Sequence, residues 1–186
     1  MPRSPRGYHI LLAAVLMLSA PIGLHAQVTA GSQTVTADDR AMHSYALTMD
    51  HLRKSKQVML NLAAFVKAHP DEAKKFEQQS GADAKTLDGM IRQLDGIPPF
   101  KQAIAAAGLT TRDYLLTSMA FVQAGMIAAM SKGTPSNLPY SVNPANITFV
   151  RTHDADIKQL DLEGAMRALD KAAPQDSSGA HGGRTP

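Results

Sequence analysis

Seventeen consecutive residues, Tyr114 to Met130 (YLLTSMAFVQAGMIAAM), carry no charge. A helix that is apolar on every side either lies at the centre of a bundle or spans a membrane. This stretch is at the short limit for a span, which needs about 20 residues. Thr117, Ser118 and Gln123 also interrupt its apolar run. The segments around it carry single apolar faces that need something to cover. The stretch is therefore read as the central helix of an all-α bundle, and Val122 in its middle is expected to be buried.

The segments before it divide into helices by their caps and breaks. Thr36 with Asp39 three residues later is a capping-box variant that starts a long first helix. Met42, Tyr45, Met49, Leu52, Lys56, Met59, Ala63 and Val66 follow at alternating spacings of three and four, a sustained heptad seam with Lys56 as its one break. The residue before Pro70 is pushed out of the α region, so this helix should end near His69. Pro70 opens a short helix that Ser80-Gly81 closes. Leu87, Met90, Ile91 and Leu94 mark one apolar face of the next. Pro98-Pro99 starts another, with Phe100, Ile104 and Ala107 inward, Gly108 at its end and Leu109 supplying the apolar contact that follows such an end. Thr110 with Asp113 is a second capping box, opening the central helix. After a loop from Lys132 to Val142, Asn143 and Pro144 begin a long last helix reaching about Ala172. Phe149, Val150, Ile157, Leu160 and Leu169 are its inward candidates. The fold expected is an irregular helical bundle with a long first helix, a central apolar helix and a long last helix.

The N-terminus has the pattern of an export signal. Arg3 and Arg6 form a positive region, Ile10 to Ala20 (ILLAAVLMLSA) is an apolar run, and Pro21 and Gly23 break it before small residues. Cleavage is expected after Ala26, with Ala30 as the alternative. Residues 1–26 are then a signal peptide, 27–35 a lead-in, 36–172 one helical domain and 173–186 a polar, Gly-rich disordered tail. The expected location is periplasmic or secreted, with no membrane span after cleavage. Losing Arg3 and Arg6 leaves 17 basic against 16 acidic side chains, and charges of both signs are interleaved along the helices. That is a solvated surface, not a phosphate-binding stripe, so no nucleic-acid partner is expected. The chain has no cysteine and no tryptophan. It must hold together without disulfides, on a core of Met, Leu, Ile and Ala.

Chemistry is harder to find. No cysteine and no G-x-S-x-G motif are present, and the serines lie in loops or in the apolar helix. Asp154/Asp156 and Asp161/Glu163 are spaced i, i+2, which points them to different sides of a helix. They read as solvated faces. Asn146-Ile147-Thr148 matches a glycosylation acceptor, although the Ala-rich signal has a bacterial look and leaves it unused. His43 and His51 fall beside the first helix's seam, too far apart to chelate one ion together. His153 repeats with Asn146, Phe149, Ile157 and Leu160 along the stripe of the last helix. Its ring should face the bundle and bond to Asn146, Ser118 or Gln123. As a metal or haem ligand it would need a partner across the bundle, and Met49 and Met42 are the candidates. The core role is adopted; no catalytic residue is assigned and no cofactor is expected.

The segments A-G-L-T-T-R-D-Y (Ala107 to Tyr114) and N-I-T-F-V-R-T-H (Asn146 to His153) resemble small exported all-helical proteins of Gram-negative bacteria, over about residues 40–170. The resemblance implies a periplasmic or secreted location and carries no activity, ligand or catalytic residue. The function expected is that of an exported, non-enzymatic helical protein binding a protein partner or an apolar ligand. The alternative is a bundle that holds haem or copper on His and Met ligands.

Overall fold

The computed structural model describes residues 34–73, 85–131 and 135–173. Among the described residues the regular secondary structure is all helical, as the periodicities require. The helices are α1 (Ala37–Ser44), α2 (Met49–Ala68), α3 (Leu87–Asp95), α4 (Pro98–Ala106), α5 (Thr111–Met130), α6 (Pro144–Thr152), α7 (Asp154–Leu160) and α8 (Leu162–Ala172). Residues 1–26, read as a signal peptide, and the C-terminal residues 174–186 lie outside the described residues, as does the end expected at Ser80-Gly81.

The local stop and start signals act where the sequence puts them. Thr36 accepts from the Asp39 amide at 3.1 Å, and the Asp39 carboxylate accepts from the Thr36 amide at 2.9 Å. Thr110 caps α5 through the Asp113 amide at 3.0 Å. Asn143 caps α6 through the Ala145 amide at 2.9 Å. Each bond satisfies a donor that the first helical turn would leave orphaned. At the end of α4, Gly108 takes φ +74 and the Leu109 amide donates back to the Ile104 carbonyl at 3.2 Å, which closes a Schellman end.

The expected first helix is two. It breaks between Tyr45 (φ −76, ψ 125) and Thr48 (φ −134, ψ 154), which caps α2 through the His51 amide. The break is held from a distant part of the chain. Asn143 and Asn146 both donate to the Tyr45 carbonyl, at 3.0 and 2.9 Å, and the Leu47 amide donates to the Asn146 side-chain oxygen at 2.8 Å. Leu47 itself is buried in the turn. The seam of α2 is also rotated from the expected one. Leu52, Met59 and Val66 are buried as read, but Ser55 and Leu62 take the places given to Lys56 and Ala63. The three-four alternation survives, and Lys56 no longer interrupts it.

The expected last helix is three. His153 (φ −104, ψ 19) is a kink, because the ladder continues from His153 to Phe149 and from Ile157 to His153. Asp161 is a true break, with left-handed φ 49 and ψ 52. Its carboxylate accepts from the Gly164 amide at 2.9 Å and so caps α8. Asp tolerates this conformation better than most residues, because its short side chain bonds locally.

α2 packs most extensively on α8, and also on α4 and α5. α5 touches α1, α2, α3, α4 and α6, so it is central, as its lack of charge implies. Its burial is uneven. Thr111, Tyr114, Leu115, Leu116, Thr117, Met119, Ala120 and Ala124 are buried, and no residue of α5 beyond Ala124 is. Val122, expected inside, is an exposed large hydrophobic. The lengths of three of its neighbours contribute to this. A 20-residue helix runs about 30 Å and a 9-residue helix about 14 Å. The short neighbours α3, α4 and α6 cover only part of α5. By length and composition alone α5 could cross a membrane, but its first half is the protein's core.

Tyr114 gives that core a pH signature. Burial pushes its phenol from 10.0 up to about 12, with hydrogen bonding to Ser118 acting in the opposite direction. The folded state holds this proton more tightly than the unfolded state does. The stabilisation is therefore complete below pH 10 and is lost as pH rises towards 12, an effect of roughly 3 kcal/mol. Urea titrations across that range should show stability falling steeply. Tyr114→Phe should flatten the fall.

Candidate functional site

Two places on the molecule gather side chains with something to do. The first is the corner between α1 and α2. The Tyr45 hydroxyl lies 2.6 Å from Thr117 Oγ1, 3.0 Å from His51 Nδ1 and 3.4 Å from the Asp113 carbonyl, to which it donates. The Tyr45 and His51 rings stack at 5.7 Å. Burial raises the Tyr45 phenol above its ordinary value; the Thr117 hydrogen bond opposes this and the Asp113 charge adds to it. A phenol held protonated is a hydrogen-bond partner and not a nucleophile at neutral pH. Its carbonyl is gripped by Asn143 and Asn146 on the other side. His43 completes the corner: Nδ1 donates to the Val142 carbonyl at 3.1 Å, and its ring stacks on Tyr140 at 4.7 Å. A carbonyl only accepts, so this nitrogen carries the proton. The corner ties α1, α2, α5 and α6 together. Its chemistry is that of a structural latch.

The metal candidates named from the sequence occupy three different settings. Met42 is buried in the core, and Met49 is partly buried against it. His153 is not a core residue. Its side chain is 38% exposed, with Nδ1 3.3 Å from Asp156 Oδ2 and its ring tilted against Phe149 at 4.7 Å. The register that pointed it inward assumes an unbroken helix, and His153 sits at the kink. The partners expected for it are engaged elsewhere. Ser118 donates to the Tyr114 carbonyl, Gln123 reaches Ser141, and Asn146 holds the corner. His153→Ala should therefore change stability by no more than about 1 kcal/mol, as is typical of exposed pairs. A thermal melt beside wild type checks this. Among the described residues, no group of three or more His, Cys, Asp or Glu side chains is placed to hold a metal ion.

Asn146 is the residue that sequence reasoning misplaced. It appears there as a glycosylation acceptor and as a partner for His153. In the fold its amide is buried and bonded at both its oxygen and its nitrogen, which closes it to modification in the native state. The available signal was a polar residue one turn after another, Asn143, at the start of an otherwise apolar face. The acidic pairs are the solvated faces they were read as. Asp154 pairs with Lys158 at 2.6 Å and Glu163 with Arg167 at 2.9 Å, all well exposed.

The second place is the uncovered half of α5. Val122, Met126 and Met130 are 45, 50 and 81% exposed. They follow at i, i+4 and i+8, so they line one side of the helix. Beside them Gly125 has open space where a Cβ would stand. The lack of charge that marks the core half continues unchanged into this half. By contrast, an apolar hollow lined by Leu62, Phe65, Val66, Ala73, Pro99, Phe100 and Leu169 has room for about one water molecule. Comparison of the chain with family models, with curated proteins and with solved structures finds no match.

Proposed function

We propose that this chain is an exported, non-enzymatic helical protein that works by binding a protein partner through the stripe Val122, Met126 and Met130. The observation that carries the reading is that stripe: three large apolar side chains in line on the exposed half of a helix that has no charge from Tyr114 to Met130. An exposed apolar patch costs solubility, and methionine is enriched where protein surfaces meet. A protein partner is favoured over a small apolar ligand because the three side chains are 45–81% exposed along one side of a helix, whereas such ligands occupy enclosed clefts of several hundred Å3.

Export rests on the N-terminal pattern of Arg3, Arg6 and the apolar run to Ala20. N-terminal sequencing of the exported protein should begin at Gln27, or at Gly31; an exported chain that still begins at Met1 contradicts it. Binding is tested with a photo-crosslinking residue at position 122 in the native host. Lys158, exposed on α7, is the control position. An adduct specific to position 122 is expected. Equal capture at both positions, or none at 122, removes the reading.

A further inference from the structure

The chain contains ten methionines and no cysteine, so thioethers are its only sulfur nucleophiles. The fold sorts them. Met42, Met59 and Met119 are buried, whereas Met126 is half exposed and Met130 largely exposed, one turn apart on α5 and in line with Val122. We propose that Met126 and Met130 are a paired oxidation site for two-electron oxidants of the peroxide class, and that their sulfoxides turn the α5 stripe from apolar to polar. At each residue the sulfur lone pair attacks one oxygen of the peroxide. A sulfur–oxygen bond forms as the oxygen–oxygen bond breaks, hydroxide leaves, and it takes the proton from the new S–OH group to become water. The sulfur loses two electrons and one peroxide is reduced for each sulfoxide made.

Location decides the consequence. A sulfoxide is a strong dipole on what was an apolar side chain. Formed at Met119 it would break up the core. Formed at Met126 or Met130 it points into water, so the fold persists and only the surface changes. The step is reversible by sulfoxide reduction, which makes the stripe a two-state surface. That oxidation releases a partner rests on the stripe being the docking face proposed above; the chemical site does not.

The test treats the folded exported chain with hydrogen peroxide and maps its peptides by mass spectrometry. Met126 and Met130 should gain oxygen at least about tenfold faster than Met42, Met59 and Met119, as exposure controls access to the sulfur. The melting temperature should hold while retention on a hydrophobic-interaction column falls. The double variant M126L/M130L, which offers no sulfur there, should keep its retention after the same treatment. Uniform oxidation rates, an unchanged wild-type retention, or an equal loss of retention in the variant would each overturn the proposal. The crosslink from position 122 separates the two readings. Capture that persists on the doubly oxidised protein sinks the release step and leaves the docking face standing. Absence of capture from the unoxidised protein sinks the docking face and leaves the oxidation site to stand on the peptide map and the column.

Discussion

Leu115→Asp is expected to abolish the folded state, whereas Val122→Asp, two turns further along the same helix, should cost less than about 1 kcal/mol. Both positions lie in the chargeless stretch, and composition does not tell them apart. Leu115 is wholly enclosed among the core residues of the bundle. A carboxylate there loses its hydration and gains no cation, a loss of about 4–5 kcal/mol or more, comparable with the entire stability of a small domain. Val122 leaves nearly half its surface in water, so a carboxylate there keeps most of its hydration. Urea titration monitored by far-UV circular dichroism checks the pair. Leu115→Asp should show no cooperative transition, and Val122→Asp a midpoint close to wild type. Two equally unstable variants would mean that α5 is enclosed along its whole length.

Asn146→Ala should destabilise the protein by about 2–4 kcal/mol, and Asn143→Ala by about 1 kcal/mol. The two asparagines share the Tyr45 carbonyl, so losing either leaves that acceptor satisfied. Only Asn146 accepts from the Leu47 amide. Without it a buried N–H is stranded beside a buried leucine, and the small hole left by the amide adds to the cost. Asn143→Ala loses one helix cap and one redundant bond. The ordering of the two variants in denaturant midpoint is the check. Equal midpoints would show that the corner is held by something other than Asn146.

What the sequence makes legible follows from the range of the interactions. The Thr36, Thr110 and Asn143 caps and the Gly108 end are decided within a few residues, and each stands where its signal lies. The all-α class and the central place of α5 follow from periodicity and from the absence of charge. The corner at Tyr45–Thr48 was not legible, because the bonds that bend the chain there come from about a hundred residues away. A heptad pattern ran straight through it. The break at Asp161 depends on one residue taking a left-handed conformation, for which an Asp-Leu-Glu run gives no warning. The error at His153 is a consequence of treating α6, α7 and α8 as one helix: a register carried across a kink places a half-exposed ring on the buried stripe. The stripe on α5 was visible as apolar residues and invisible as a surface, since its exposure depends on how far neighbours elsewhere in the chain extend along it.

α5 is core in its first half and open surface in its second. A chain without cysteine allows this to be measured residue by residue. Single cysteines at positions 115, 119, 122, 126 and 130 would be labelled with a thiol reagent under native conditions. Positions 122, 126 and 130 should label rapidly, and 115 and 119 only on unfolding. Protection at 126 and 130 equal to that at 115 would contradict this division of α5.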